Sequence, residues 1–249
     1  MIYPDFFARF YDVIYASLRS DIDFEYFQKK IIESNGPVLE IGVGTGRFFI
    51  EALKKGADIY GIDISPSMIE ILKSKISPIN HFRVKVDNAI SFSSDKQFDL
   101  IIAPFRVFMH IINIEDQINC LKNIYSHLIE GGIFIFDAYI PNPLILANGI
   151  NNIVDFEGEY ENGKKVRRIV TANNDIVNQL NNITFTIEWE EEKGKWCRDI
   201  WHTQLHFFFK YEIENLLRLS PFKKYKILGD YSESQLNSNS KDFVIVCEK

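Results

Sequence analysis

The sequence predicts a doubly wound α/β fold, and two observations predict it. Over the first 140 residues, short apolar runs alternate with stretches whose apolar residues recur at three and four spacing. One such run, "VLEIGVGTG" (38–46), closes on three glycines at alternate positions just before the helical pattern "RFFIEALKKG". Alternation of this kind implies right-handed crossovers and a parallel sheet with helices on both faces. The glycine turn then lies at the carboxyl edge of that sheet, where open α/β sheets bind ligands.

The expected core strands are 37–41, 57–63, 82–87, 98–104 and 131–139, short runs several of which are rich in Ile and Val. Helices are expected in "DIDFEYFQKKIIESNG", "RFFIEALKKG", "SPSMIEILKSKI" and "IEDQINCLKNIYSHLIEGG", each ending near Gly or Pro. After residue 140 the pattern changes to long, partly alternating runs broken at Asn162-Gly163, Asn173-Asn174 and Lys193-Gly194. These predict an antiparallel meander of three or four strands, inserted between the fifth and sixth core strands. A helix, "KYEIENLLRLS", and two strands, "KKYKILGDY" and "DFVIVCEK", return the chain to the sheet. The expected organisation is one domain over 1–249: a helical lead-in (1–35), the core (36–140), the β insertion (150–209) and a final helix with the last two strands (210–249).

Composition excludes several classes. Of 249 residues 46% are hydrophobic and 25% charged, ordinary globular values that argue against disorder or fibrous repeats. A net charge of −6 spread along the chain disfavours a nucleic-acid partner held by bulk electrostatics. Cys120, Cys197 and Cys247 are odd in number and outside any CxxC spacing, as expected of a reduced, cytoplasmic chain. The N-terminus has acids and no basic leader, and no run reaches the about 18 apolar residues of a membrane span, so no membrane partner is expected.

The glycine turn does not fit the two commonest nucleotide motifs. A dinucleotide fingerprint needs a third glycine where this chain has Arg47, and a P-loop needs a Gly-Lys-Ser/Thr that does not follow. With Glu40, Gly42, Gly44 and Gly46 in register, the stretch resembles motif I of the class I S-adenosylmethionine (SAM) dependent methyltransferases. Asp63 in "GIDIS", Asp87 in "VDNAISF", "FDLIIAPFRVFMHI" and "SHLIEGGIFIFDAY" continue the resemblance in order. The N-terminal "FYDVIYASLRSDIDFEYF" and the C-terminal strands extend it to a bacterial small-molecule subgroup that includes deoxysugar amino N,N-dimethyltransferases and glycine N-methyltransferase-like enzymes.

The resemblance implies a Rossmann-like seven-stranded sheet in the order 3-2-1-4-5-7-6 with the last strand antiparallel, and an insertion that roofs the substrate pocket. It implies SAM as cofactor, S-adenosylhomocysteine as product, and transfer to an N or O nucleophile of a small molecule. By the same resemblance Asp63 takes the two ribose hydroxyls, since a carboxylate's two oxygens can accept in parallel from a vicinal diol. Asp87, Asn88 and Ala89 stand at the adenine, with Ile64 and Met68 beside it; Glu40, Gly42, Val43 and Gly44 form the turn; Ala103, Phe105 and Val107 pass the methionine portion. Tyr15 and Arg19 fold over the cofactor, Arg19 as a bidentate partner for its carboxylate.

Tyr11 and His110 are the candidates to take the acceptor's proton, and Trp189, Arg198, Trp201 and His206 to line the acceptor pocket. No metal is expected: His202 and His206 share a strand face roughly 13 Å apart, too far for one ion. Plainer readings stand beside these, with Met68 in the core, Tyr11 and Tyr15 as packed rings, Arg19 on the surface and Ser65 as the cap of the following helix. The chain after the fourth strand reads Ala103-Pro104-Phe105-Arg106, not the Asp/Asn-Pro-Pro-Tyr signature of methyltransferases acting on nucleobase amines or protein glutamine, which favours a small diffusible acceptor. A non-catalytic SAM-binding protein, a nicotinamide-dependent oxidoreductase and a homodimeric state remain open alternatives at this point.

Overall fold

The computed structural model describes residues 2–18 and 21–249. Two helices lead in, α1 (Asp5–Leu18) and α2 (Asp21–Glu33). Then β1 (Val38–Ile41), α3 (Arg47–Lys54), β2 (Ile59–Asp63), α4 (Pro66–Lys75), β3 (Val84–Val86), β4 (Phe98–Ala103), α5 (Ile114–His127) and β5 (Leu128–Tyr139) follow. A short α6 (Pro143–Asn148) precedes four strands: β6 (Ile150–Tyr160), β7 (Lys164–Asp175), β8 (Leu180–Glu192) and β9 (Lys195–His206). Helix α7 (Lys210–Leu219) and strands β10 (Lys224–Leu228) and β11 (Asp242–Glu248) complete the chain.

Seven strands pair in the order β10-β11-β5-β4-β1-β2-β3. The pairs among β1 to β5 are parallel, and β11 runs antiparallel to both β5 and β10. With β10 and β11 as the sixth and seventh core strands, this is the order 3-2-1-4-5-7-6 with the last strand antiparallel. All four residues of β1 are buried, as a central parallel strand covered on both faces requires. One face packs Phe134, Phe136, Leu121 and Phe222; the other packs Phe27, Phe49, Ile59 and Leu72.

The four inserted strands form a separate antiparallel sheet, β6-β7-β8-β9. Its inner face packs Phe156, Ile187, Trp189 and Trp201 against Phe7, Phe10 and Ile14 of α1, which also meets Met68 of α4. Helix α1 is therefore the layer between the insertion and the seven-stranded core.

Among the boundaries that differ from the sequence expectation, three have a local reason. Asn173 and Asn174 lie inside β7, paired with Asn182 and Asn181. The reversal comes after them, where the Asp175 carboxylate accepts from the backbone N–H groups of Val177 and Asn178. Strand β3 is shorter than expected because Pro78–Arg83 forms a 3₁₀ turn. Strand β5 starts earlier, since Leu128 pairs with Phe98 before a register shift brings Ile133 opposite Leu100.

One buried residue holds the loop after β4. Phe105 and Arg106 have φ of 58° and 67°, left-handed values that cost non-glycine residues about 1 kcal/mol or more each. The Asp137 carboxylate, on β5 and 1% exposed, accepts from the backbone N–H of Phe105 at 3.2 Å and of Arg106 at 2.6 Å, and from the Tyr231 hydroxyl. Burial raises its carboxyl to about 6 although these donors and Arg106 oppose the shift. We expect Asp137→Asn, whose amide nitrogen would face donors, to lower unfolding free energy by roughly 2 kcal/mol in urea titrations. Asp242→Asn, which removes the partly exposed ion pair to Arg106, should cost less than about 1 kcal/mol.

Candidate functional site

A cavity of about 370 Å³ opens where the carboxyl ends of β1 to β4 meet α1. That volume falls in the range of small-molecule sites, about 300 to 1,000 Å³. Its floor is the turn after β1. Gly42 has φ of 68°, and a Cβ there would stand 2.4 Å from Val107 Cγ2, so the backbone must be bare for the β4 loop to close against it. Gly44 has φ of 54°, and a Cβ there would meet nothing nearer than the Gly42 carbonyl at 3.9 Å. The turn thus presents open space above backbone amides.

Asp63, at the end of β2 and 7% exposed, ties this turn to the next strand. One carboxylate oxygen accepts from Gly44 N–H at 2.9 Å and the other from Ser65 N–H at 2.8 Å. Burial raises its carboxyl, and the two backbone donors pull it back down. The Ser65 side chain makes no helix-capping bond; its hydroxyl donates to the Tyr3 carbonyl, so Asp63 rather than Ser65 organises the start of α4. The carboxylate retains acceptor capacity toward hydroxyls, since its two oxygens offer about four lone-pair sites.

The structure brings together Tyr11, Glu40, Gly42, Val43, Gly44, Asp63, Ile64, Met68, Asp87, Asn88, Ala89, Phe105, Val107 and His110, all of which line the cavity. Asp87 is paired with Lys85 at 2.8 Å, and Asn88 turns the chain by accepting from Ile90 N–H. Burial holds the His110 imidazole down at about 4, so it is neutral at neutral pH.

Helix α1 is latched over the turn from both sides. The Asp12 carboxylate accepts from the Thr45 hydroxyl at 2.6 Å and from Lys75 Nζ, and Asp5 accepts from Ser67. Arg9 reaches Glu191 of the second sheet at 3.2 Å.

Other expected site residues stand elsewhere. Ala103 ends β4 buried in the core and does not line the cavity. Tyr15 sits behind the wall, its ring 4.5 Å from Tyr11 and 5.6 Å from Phe105, with the Arg168 guanidinium 4.9 Å above it. Trp201 packs on Tyr3 and Phe7, each at 4.7 Å, and reaches the cavity only through Tyr3. Trp189 packs on Phe10 and donates to Glu191. His206 is occupied by Glu212 at 2.9 Å at the start of α7, away from the cavity. Arg198 lies in a separate shallow depression with Arg167, Glu188 and Trp196. For the two tryptophans the strand alternation placed aromatic rings on the sheet without fixing its distance from the cavity, and α1 fills the gap between; Arg198 and His206 stand on the opposite face of β9 from Trp201. Arg19 lies outside the described residues. Among the described residues no cluster of metal-ligating side chains occurs.

Sequence reasoning passed over Tyr3, Thr45 and Arg47, which also line the cavity. Thr45 and Arg47 were legible as neighbours of the glycines; nothing local marks Tyr3, which arrives from the chain's first turn.

The geometry can be set beside known proteins. Residues 38–132 match a family model described as a methyltransferase domain. A Bacillus subtilis strain 168 protein described as "Putative methyltransferase YqeM" is 22% identical over 255 residues, covering 100% of this chain and 98% of its own. A SAM-dependent methyltransferase of Clostridium acetobutylicum ATCC 824 superposes with TM-score 0.73 at 20% identity over 98% of each chain. The sugar N-methyltransferase KedS8 of Streptoalloteichus sp. ATCC 53650 superposes with TM-score 0.72 at 15% identity, covering 96% of this chain and 93% of its own. The two superpositions establish the fold, while the bare turn, the open side of Gly44 and the paired oxygens of Asp63 suit an adenosyl group with an amino-acid tail. Residues 38–132 thus carry the match to a methyltransferase domain, and the whole chain shares the fold of a SAM-dependent methyltransferase.

Proposed function

We propose that the chain is a SAM-dependent methyltransferase that methylates an N or O nucleophile of a small diffusible molecule. The observation that carries this reading is the roof: Tyr3 and Tyr11 line the cavity from above and are packed beneath the second sheet, Tyr3 directly against Trp201 at 4.7 Å. A layered aromatic lid suits an acceptor that is enclosed, and it leaves little room for a polymer to cross the site. The net charge of −6 agrees with that. KedS8, which shares the fold, is a sugar N-methyltransferase by its own description.

In this reading Asp63 accepts from the ribose hydroxyls, Asp87 with Asn88 and Ala89 faces the adenine, and Ile64 and Met68 pack beside it. Glu40, Gly42, Val43 and Gly44 form the floor under the amino-acid end, and Phe105 bounds it from β4. When bound, SAM supplies a methyl group already activated on a sulfonium, and transfer is an in-line displacement. The protein's part is positioning, an effect that can be worth roughly 7 to 11 kcal/mol, and exclusion of water. The latch of Asp12 on Thr45 and Lys75 holds α1 over the site for that purpose. His110, neutral and on the cavity wall, accepts the acceptor's proton, with Tyr11 beside the same space. Trp201 acts by backing Tyr3. The division into lead-in lid, core, roof and final strands is one functional unit on this account.

Calorimetry with S-adenosylhomocysteine tests the cofactor assignment. Wild type should bind at micromolar Kd, and Asp63→Ala should lose at least about tenfold, about 1.4 kcal/mol. Equal affinity in the two proteins would remove Asp63 from the site.

A second expectation concerns pH. An unfolded histidine titrates near about 6.5 while folded His110 is held at about 4, so the unfolded chain takes the proton first and stability falls as pH drops between them. Asp137, raised to about 6, acts with opposite sign below that pH, because there the folded state keeps the proton that the unfolded chain releases. Comparing wild type with His110→Asn cancels the Asp137 contribution. Across pH 6.5 to 4 the variant's stability loss should be shallower by on the order of 3 kcal/mol. Parallel curves would place His110 in a solvated setting.

A further inference from the structure

The loop between β10 and β11 is built to deliver one side chain. Gly229 N–H donates to the Ser234 carbonyl at 2.8 Å, and the Asp230 carboxylate accepts from the backbone N–H groups of Ser232 and Ser234. Between those two donors Glu233 takes a left-handed φ of 62° and pairs with Lys30 of α2 at 2.6 Å. The loop is thus closed on itself and tied to α2. Its Tyr231 ring packs 5.8 Å from Tyr26 and 6.1 Å from Phe27 of that helix, and its hydroxyl donates to Asp137.

Asp137 carries that donation to the cavity. Its Oδ2 accepts from both Tyr231 and Phe105 N–H, and its Oδ1 from Arg106 N–H. The two backbone donors belong to the left-handed pair that sets Phe105 on the cavity wall and Val107 against Gly42. Backbone in that region persists only where its surroundings over-determine it. The charged groups facing Asp137 are Arg106, paired with Asp242 of β11, and Asp23 of α2, which pairs bidentately with Arg47 of α3. Asp242 and Asp23 also face Tyr231. Burial and the Asp137 charge push the Tyr231 hydroxyl far up, so it remains a donor at every working pH.

We infer that Tyr231 is a positioning residue of the cofactor site: by donating to Asp137 it keeps that carboxylate an acceptor for the β4 loop, and so holds the cavity wall in its strained, closed form. The inference rests on the SAM reading and adds to it a control exerted by a residue that does not line the cavity. It also makes binding depend on pH. A protonated Asp137 would bring a donor of its own to three donors and could not satisfy them as a carboxylate does. Burial holds its carboxyl up at about 6 in the folded chain, so affinity is full above that pH and is lost as pH falls through it. The Tyr231 hydrogen bond opposes the rise. Without it the loss begins at higher pH.

The test is calorimetry with S-adenosylhomocysteine from about pH 8 down to about pH 5 on wild type, Tyr231→Phe and Asp137→Asn. His110, held at about 4, stays largely neutral over that range. Wild-type affinity should fall at least about fivefold across it. Tyr231→Phe should begin its fall about one unit higher, the shift expected on removing a hydrogen bond to a charged group, and at about pH 6 should bind about threefold more weakly than wild type. Asp137→Asn should bind at the wild type's low-pH level throughout. Any slope it keeps belongs to Asp63, whose carboxyl burial also raises and which all three proteins share. Melting temperatures certify the fold of each variant. Superimposable profiles for wild type and Tyr231→Phe, or a loss in Tyr231→Phe that is equal at every pH, would overturn the inference, and that comparison decides even if Asp137→Asn does not fold. Wild type binding no S-adenosylhomocysteine at about pH 8 would defeat the cofactor reading itself, before any variant is compared.

Discussion

The site depends on one constraint: two strand ends must approach over a backbone without side chains. Gly42 sits so close to Val107 that a single Cβ would collide with it. Asp63 then fastens the turn to the neighbouring strand by taking one backbone N–H from each side, Gly44 and Ser65. A carboxylate so used is costly to bury, and its raised pKa reflects that cost. The two backbone donors fix its orientation.

The loop after β4 obeys a parallel logic. Two consecutive left-handed residues, Phe105 and Arg106, are strained, and Asp137 offsets the strain with two charge-assisted bonds from a fully buried position. Phe105 thereby faces the cavity and Val107 presses on Gly42. Carboxylates at the ends of β2 and β5 thus shape opposite walls of one cavity, and a third, Asp23, orients the arginine at the head of α3.

The insertion works through an intermediary. Its aromatic residues reach α1, and α1 carries Tyr11, with Tyr3 just ahead of it, to the cavity. Polar contacts join α1 to the glycine turn through Asp12 and Thr45, while Arg9 joins it to the second sheet. Closure over the site and packing of the roof are therefore one arrangement, and a change in the sheet can be felt in the cavity without any residue of the sheet lining it.

Much of this was legible in sequence. Short continuous apolar runs and period-3.6 patterning marked the core strands and helices, because burial of a central parallel strand or of one helix face leaves a local signature. The glycine spacing, Asp63 and Asp87 located the cavity, since a turn that must be bare can be occupied by few residue types. The reach of the second sheet was not legible: Trp189 and Trp201 share its inner face, yet whether a strand face meets a ligand or a helix depends on how the layers stack, while Arg198 and His206, an odd number of residues from Trp201, lie on the other face. Nor could spacing pair Arg47 with Asp23, 24 residues apart, or Asp137 with the loop it holds, 31 and 32 residues away. Local sequence determined the fold class and the turn, because those are set by backbone sterics and near-neighbour periodicity. Tertiary structure alone decided which charges face one another across the site, because that choice is made by burial and distance between elements far apart in the chain.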